Sequence, residues 1–311
     1  MSRKTIITDD VQEAAAIIRG GGLVAFPTET VFGLGADATQ AQAVDAVFAA
    51  KGRPADNPLI VHLSDAADLA SVSRSHSASA SRLLEVFAPG PLTVVVPADE
   101  RLAPGVTAGL GTVGVRIPAH PTALALIRAA QVPVAAPSAN RSGRPSATTW
   151  QAAAEELHGR VDAVLRGERS GVGIESTVVD CVVDPPAILR AGGISLESLR
   201  SVIAGVQARG DREQASPGTR HPHYAPRARV RIVEGARPDA SAAWVGMVTP
   251  PTGYAMQLVV ESERQYAHEL YDFFRQVDAA GLAEVHCQLP PEGGLGTALR
   301  DRIRRAAEAA G

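Results

Sequence analysis

The sequence predicts an α/β fold with two domains, and three observations carry this prediction. Short apolar runs bounded by Gly or Pro alternate with amphipathic stretches along most of the chain, as expected for mixed strands and helices. A segment rich in Gly, Pro, Ser and Arg interrupts this pattern at residues 205–229. The length of 311 residues suits two domains of ordinary size. We expect a large twisted sheet over residues 1–204, a linker over 205–229 and a smaller α/β domain over 230–311.

Individual elements follow from local signals. Asp9 or Asp10 is placed to cap the first helix, because its carboxylate can accept hydrogen bonds from free backbone N–H groups. Thr39 and Ser64 are placed to cap the next two helices. In chain order, the expected helices are 11–19, Thr39 to Gly52, a short one after Ser64, 80–87, 121–130, 150–157, 196–204, 263–279 and one near the C-terminus. The expected strands are 23–26, 59–63, 88–98, 112–117, 132–136, 161–165, 178–183, one ending at Arg190, 230–233, 243–248, 257–260 and 283–289.

Composition narrows the class of protein. The formal net charge of −3 argues against a protein that holds nucleic acid on a broad basic face. Cys181 and Cys287 lie in separate apolar runs, so neither a zinc knuckle nor a disulfide framework is expected. The N-terminal segment has no apolar signal core, and no apolar run reaches the length of a membrane span. We therefore expect a protein of the reducing cytoplasm with no membrane partner.

Residues 26–63 form the most informative stretch of the first domain. After an apolar strand, Gly33 and Gly35 are expected in a turn where a ligand can approach the backbone closely. The following helix ends at Gly52, so that Lys51 and Arg53 leave it side by side. These features predict two neighbouring cations at a helix end.

The rarity of lysine sharpens this observation. The chain has 30 basic residues, of which only Lys4 and Lys51 are lysines. A lysine two positions before Arg53 suggests a site that uses a compact ammonium beside a planar guanidinium. A solvated helix end, favoured by the helix dipole, is the alternative. Asn57 and His62 follow in the next loop and strand, and we interpret the group as a small-molecule site.

Further candidates lie at strand ends. Arg116 sits among apolar residues, where a buried guanidinium requires either an acidic side chain or an anionic ligand. Ser138 and Asn140 follow a strand, where α/β proteins bind ligands, although Ser and Asn also favour turns without any function. Glu175 and Ser176 lie at the mouth of the strand 178–183.

The linker and the C-terminal part give weaker signals. Between residues 200 and 231, seven arginines face two acidic residues, a local charge of +5. Such a segment is either an ordinary linker or, with His223 and Tyr224, a flap that closes over a polyphosphate. The final glycine pair, at Gly294 and Gly296, lacks the third glycine of a dinucleotide fingerprint. The arginines of the last helix are expected to form a solvated helix end, namely Arg302, Arg304 and Arg305.

The strings PTETVFGLG, KGRPADNPLIVHL, PSANRSGRPS, GIESTVVD and SPGTRHPHYAP occur in this order. With them, the sequence closely resembles the two-domain threonylcarbamoyl-adenylate synthases over nearly its whole length. The resemblance implies a YrdC-like domain with a twisted mixed sheet and flanking helices, a linker that folds back over the site, and a small Rossmann-like C-terminal domain. It also implies a nucleotidyltransferase that makes threonylcarbamoyl-adenylate and pyrophosphate from L-threonine, bicarbonate or CO2, and ATP. Mg²⁺ is expected with the ATP, and no organic cofactor.

The resemblance also implies partners and site residues. Other proteins would transfer the threonylcarbamoyl group to the adenosine next to the anticodon, so that tRNA is an indirect partner. The implied catalytic residues are Lys51, Arg53, Ser138 and Asn140. The implied threonine pocket is Thr30, His62, Arg116, Ala136 and Ser176, with Arg116 as a carboxylate clamp and His62 orienting the hydroxyl or accepting a proton. The implied ATP site is Arg53, Asn57, Thr112, Ser138, Ser146, Arg190 and Tyr224, without a metal ligand from the protein.

The sequence departs from the family pattern at three positions and leaves two other functions open. Phe32 stands where a tyrosine is common, and Thr219 and His221 replace the more usual Met and Tyr. One alternative is an RNA-binding or ribosome-maturation factor without turnover, against which the net charge and the scarcity of aromatic residues argue. The other is a carbamoyl-adenylate enzyme of hydrogenase maturation, which would require zinc-binding cysteines that two isolated cysteines do not supply.

Overall fold

A computed structural model of the chain describes residues 4–210, 216, 223–235, 239–250 and 252–309. The larger sheet has ten strands in the order β1-β8-β2-β3-β7-β4-β6-β5-β9-β10. These strands are β1 (Ile6–Thr8), β2 (Val24–Phe26), β3 (Gly33–Asp37), β4 (Ile60–His62), β5 (Leu92–Pro97), β6 (Thr112–Arg116), β7 (Val134–Ala135), β8 (Ala163–Leu165), β9 (Thr177–Asp180) and β10 (Ala187–Arg190).

Helices flank this sheet. They are α1 (Val11–Arg19), α2 (Ala41–Lys51), a 3₁₀ helix (Ala66–Ser71), α3 (Ala78–Phe87), α4 (Pro104–Thr107), α5 (Pro121–Ala130), α6 (Trp150–Leu157) and α7 (Leu196–Val202). Strand pairs β4–β6 and β5–β9 are parallel, whereas β2–β3 and β5–β6 are antiparallel. The expected α/β fold with a mixed sheet is thus confirmed.

A second, smaller sheet is entirely parallel, in the order β11-β14-β12-β13. Its elements are β11 (Arg229–Ile232), β12 (Ala242–Gly246), β13 (Met256–Val259), α8 (Glu263–Ala279), β14 (Glu284–Cys287) and α9 (Gly296–Glu308). The strands and helices expected after residue 229 are therefore present. Among the described residues, we find no helix that is both long and apolar enough to span a membrane.

Two predicted helix caps are wrong. Helix α2 begins after Gln40, which makes no side-chain capping bond, and the Thr39 hydroxyl and N–H both donate to Asp37 Oδ1. Asp65, not Ser64, caps the 3₁₀ helix by accepting the Ala67 N–H. At the 3₁₀ helix the aspartate carboxylate is a stronger acceptor than the hydroxyl of Ser64. The end of α2 agrees with the prediction, since Gly52 has a φ of 62° and terminates the helix.

Gly33 and Gly35 serve packing rather than a turn. Both lie in β3, and a Cβ atom added to either would lie 3.1 or 2.9 Å from the ring of Phe26. Phe26 is fully buried beneath this strand. The glycines therefore make room for the ring. The expected turn at this place is wrong, whereas Gly33 lines a cleft, which agrees with the expectation that a ligand can approach the backbone here.

The smaller sheet packs directly onto the larger part of the molecule. Its hydrophobic core includes Val31 and Ile174, which belong to the larger part. Gly173 has a φ of 86°, and a Cβ atom there would lie 2.2 Å from the Ala267 carbonyl oxygen of α8. Only glycine lets this loop approach α8 so closely. The two parts thus share one continuous apolar contact.

Candidate active site

A cleft enclosing about 580 Å³, part of it open to solvent, lies at the ends of β2, β4, β6 and β9. All five residues of the implied threonine pocket line it, namely Thr30, His62, Arg116, Ala136 and Ser176. Four of the seven residues of the implied ATP site also line it, namely Arg53, Ser138, Arg190 and Tyr224. Residues assigned to two different ligands from separate parts of the chain therefore meet in a single cavity.

His62 provides a neutral acceptor at one end of the cavity. It pairs with Arg116 across the parallel β4–β6 ladder. Its Nδ1 lies 3.2 Å from the Ile60 carbonyl oxygen, so this nitrogen carries the ring hydrogen and Nε2 is the acceptor. Burial and the neighbouring Arg116 lower the pKa of His62 to about 3. The imidazole is thus uncharged at neutral pH.

Arg116 already has an acidic partner. Its Nη2 lies 2.7 Å from Glu29 Oε1, and its Nη1 donates to Thr30 Oγ1 at 2.7 Å. The Thr30 hydroxyl also contacts Thr28 Oγ1 at 2.9 Å. Of the two partners expected for this buried guanidinium, the structure contains the acidic side chain. A ligand carboxylate at Arg116 would share the guanidinium with Glu29.

Lys51 and Arg53 carry buried positive charge at the other end. The Lys51 ammonium donates to the carbonyl oxygens of Ser138, at 2.5 Å, and Asn140. The Arg53 guanidinium donates to the carbonyl oxygens of Asn57, at 3.1 Å, and Pro58, at 2.8 Å. Both side chains are buried, and the described residues include no carboxylate within ion-pair distance of either.

The electrostatics of these two cations follow from burial. Burial lowers the pKa of Arg53 to about 9, and burial together with Arg53 lowers the pKa of Lys51 well below its usual value. Arg190 adds a third guanidinium, whose Nη2 donates to the Ser176 carbonyl oxygen at 3.0 Å. Among the described residues, Lys51 and Arg53 donate only to carbonyl oxygens, and buried cations without an acidic partner are costly. The part of the cavity beside Arg53 is therefore suited to an anion.

Two hydrogen bonds to carbonyl oxygens hold the Lys51 ammonium in place. Its side chain is not part of the cavity wall and holds the chain segment that follows β7. Asn140 also lies outside the wall, and its amide donates to the carbonyl oxygens of Arg141 and Arg144 at 2.8 Å each. Both side chains therefore shape the loop that presents Ser138.

Three residues of the implied ATP site also lie outside the cavity wall. Thr112 is at the start of β6, whereas Arg116 is at its end. Asn57 reaches His223, with 3.5 Å between its Nδ2 and the ring Nε2. Ser146 donates to Glu175 Oε1 at 2.6 Å. Asn57 and Ser146 thus support residues of the wall.

The described end of the linker contributes His223 and Tyr224 to the cavity wall. Burial lowers the pKa of His223 to about 3, with Arg53 and Lys51 as further causes. The Tyr224 ring stacks on Tyr271 at 5.6 Å. The departures noted in the linker, at Thr219 and His221, lie outside the described residues.

Family models cover almost the whole chain. One, the Sua5, YciO and YrdC family described as telomere recombination, matches residues 16–192. A second, described as the C-terminal domain of threonylcarbamoyl-AMP synthase, matches residues 194–308.

The chain belongs to the threonylcarbamoyl-AMP synthase family.

Relatives of this family agree over nearly the full length. The Bacillus subtilis threonylcarbamoyl-AMP synthase is 40% identical, over 96% of this chain and 94% of its own. The synthase of Pyrococcus abyssi is 38% identical, over 95% of this chain and 93% of its own. The crystal structure of P. abyssi Sua5 complexed with L-threonine has a TM-score of 0.90 and 35% identity, covering 100% of this chain and 98% of that one.

The positions of two residues, Arg302 and Glu175, were not predicted correctly from the sequence. Arg302 was expected in solvent, but it is fully buried and its Nε donates to Glu175 Oε2 at 2.8 Å. Glu175 itself lines the cavity, although the sequence placed it only at a strand mouth. The two residues are 127 positions apart, so local patterning carries no signal of their pairing. The one available indication of a buried partner was a glutamate at the mouth of an apolar strand.

The cavity residues do not form a metal cage. Among the described residues, the one group with metal-ligand geometry is Asp239, Glu284 and His286, which lies on the smaller sheet. The carboxylate in the cavity wall, Glu175, is instead held by Arg302 and Ser146.

Proposed function

We propose that this chain is an L-threonylcarbamoyladenylate synthase. It joins L-threonine, bicarbonate or CO2, and the AMP moiety of ATP, and it releases pyrophosphate, which makes it a nucleotidyltransferase. The names of the relatives and the threonine-bound P. abyssi structure support this proposal.

One observation carries the proposal. Arg53, supported by Lys51, places buried positive charge without an acidic partner, among the described residues, at the wall of a cavity whose other end is formed by Thr30, His62 and Arg116. Buried charge of this kind is stabilised by an anionic ligand. A nucleotide phosphate supplies that anion, while a small amino acid suits the hydroxyl, imidazole and guanidinium at the opposite end.

In the proposed reaction, the threonine amine adds to CO2 and loses a proton to give a carbamate; where bicarbonate is the substrate, one water molecule is released as the C–N bond forms. A carbamate oxygen then attacks the α-phosphorus of ATP, and pyrophosphate leaves with the electron pair of the broken P–O bond. With a pKa of about 3, His62 is too weakly basic to hold the amine proton. We assign it to accept a hydrogen bond from the threonine hydroxyl, while the proton leaves with solvent or bicarbonate.

The main task of the protein is to bring two anions together. Arg53 and Arg190 offset the phosphate charge, and Ser138 donates from the end of β7. Tyr224 completes the ATP end, and Ser146 supports the wall there through its hydrogen bond to Glu175. Mg²⁺ would enter bound to ATP, held by phosphate oxygens and water, since the cavity has no acidic cluster among the described residues.

The product would pass to proteins that transfer the threonylcarbamoyl group to the adenosine next to the anticodon. The acyl-adenylate is a mixed anhydride, so water must be excluded until the transfer. The buried position of Tyr224 in the cavity wall suits this requirement.

The test is pyrophosphate release from ATP, with threonine and bicarbonate omitted in turn. We expect release only when both are present, and serine in place of threonine should support less release. Equal release without threonine would contradict the proposal, as would ADP as the product. Salt-sensitive tRNA binding without any pyrophosphate release would favour the RNA-binding alternative.

A further inference from the structure

The smaller domain contacts a buried carboxylate of the cavity wall, that of Glu175. This carboxylate accepts hydrogen bonds from Ser146 Oγ at 2.6 Å, from the Tyr271 hydroxyl at 3.1 Å and from Arg302 Nε at 2.8 Å. Tyr271 belongs to α8 and Arg302 to α9, so both come from the smaller domain. Three donors from both parts of the molecule thus fix one side chain of the active site.

Arg302 keeps Glu175 charged. Burial raises the pKa of Glu175, but the guanidinium groups of Arg302 and Arg190 outweigh this effect and lower it to about 2. The Arg302 side chain is fully buried, and its Nη2 donates to the Ala191 carbonyl oxygen at 2.9 Å. A buried carboxylate and a buried guanidinium are each costly alone. Glu175 therefore keeps its place only while Arg302 is docked.

The same two side chains hold Tyr224. This residue has a φ of 73°, which is uncommon for a residue other than glycine. Its ring stacks on Tyr271 with 22° between the ring planes, and the Arg302 guanidinium carbon lies 5.1 Å from its centroid. The strained end of the linker is thus clamped from the smaller domain.

We infer that Arg302 and Tyr271 are positioning residues for the nucleotide end of the active site, acting through Glu175, Ser146 and Tyr224. The inference rests on the proposed function, in which Tyr224 faces ATP and Ser146 supports the wall through Glu175. It gives the smaller domain a defined part in the reaction. The smaller domain supplies two side chains, and without them the residues of the nucleotide end are no longer held in position.

The threonine end is affected less. Within the described part of the chain, neither Arg302 nor Tyr271 donates to Thr30, His62, Arg116 or Ser176, and only Ser176, which follows Glu175 in the chain, is next to the carboxylate that they hold. Loss of either side chain should therefore raise the KM for ATP more than the KM for threonine. A purely structural role would lower the amount of folded enzyme without separating the two constants.

The test measures both constants in Tyr271→Phe and Arg302→Gln, with Glu269→Gln as the matched control. Tyr271→Phe keeps the ring and removes one hydrogen bond to a charged group, so we expect the KM for ATP to rise about tenfold. Glu269→Gln removes a different ion pair between the two parts, with Arg169 at 2.8 Å, which is partly exposed. We expect both of its constants to match those of the wild type. An equal rise in this control would assign the effect to domain docking in general and overturn the inference.

A wild-type KM for ATP in folded Tyr271→Phe would also overturn the inference, while threonine-dependent pyrophosphate release by the wild type would leave the proposed function intact. If Arg302→Gln fails to fold, Tyr271→Phe decides alone. Titration calorimetry of ATP onto the wild type and Tyr271→Phe makes the same comparison without turnover. Weaker binding by the variant supports the inference even if the reaction product differs from the proposed one, and equal binding refutes it.

Discussion

His62 makes the stability of the protein depend on pH in a way that can be worked out from the structure. Burial and Arg116 lower its pKa from 6.5 to about 3. Below pH 6.5 the unfolded imidazole binds a proton that the folded imidazole rejects. The folded state therefore has its full stability with respect to His62 above pH 6.5, and the free energy of unfolding decreases as the pH falls from 6.5 toward 3. Between pH 7.5 and pH 5.0, His62 alone lowers the free energy of unfolding by about 2 kcal/mol, at 1.36 kcal/mol for each pH unit.

Replacement of the imidazole removes this dependence. Urea unfolding at each pH measures the free energy of unfolding. Between pH 7.5 and pH 5.0, we expect this free energy to fall by about 2 kcal/mol less in His62→Gln than in the wild type. His76→Gln is the matched control, because His76 is exposed and its replacement should leave the wild-type dependence unchanged. An identical loss in His62→Gln and the wild type would refute the neutral, buried imidazole, and with it the assignment of His62 as an acceptor.

Three other changes test the site and its support. Lys51→Met removes the ammonium that holds the loop after β7, so turnover should fall below about a tenth of the wild-type rate with the fold retained by circular dichroism; a faster variant would show that the ammonium is dispensable. Arg53→Gln should raise the KM for ATP by about tenfold or more, since it removes a guanidinium at the cavity wall, and an effect confined to threonine would place the nucleotide elsewhere. Gly173→Ala should lower the free energy of unfolding by more than about 1 kcal/mol, because its Cβ would lie 2.2 Å from the Ala267 carbonyl oxygen; a neutral result in urea unfolding would mean that α8 can move away.

Much of the fold was accessible from sequence because local signals agree with the tertiary structure. Helices α1 and α5 have the predicted bounds, and Asp10 caps α1 as one of the two expected residues. The strands expected over 88–98 and 132–136 are shorter, Leu92–Pro97 and Val134–Ala135. Prolines near their starts lack the N–H that a ladder needs. Apolar patterning therefore found the strands and overestimated their length.

The candidate site could be predicted only in part, and that prediction came from sequence motifs. Motifs located many residues of the cavity wall, but they also pointed to residues behind it, such as Lys51 and Asn140, and they did not reveal what the residues contact. Glu29 as the partner of Arg116, and Arg302 as the partner of Glu175, depend on distant chain segments. An arginine in an amphipathic helix such as α9 looks solvated unless its buried partner is known. Contacts between the two parts of the molecule were for this reason the least predictable feature.

The most direct test is a crystal structure with L-threonine and a non-hydrolysable ATP analogue bound together. The account predicts one cavity holding both, with the α-phosphate at Arg53 and Ser138 and the amino acid at Thr30 and His62. It is contradicted if the phosphates lie away from the buried cations, or if the two ligands occupy separate cavities.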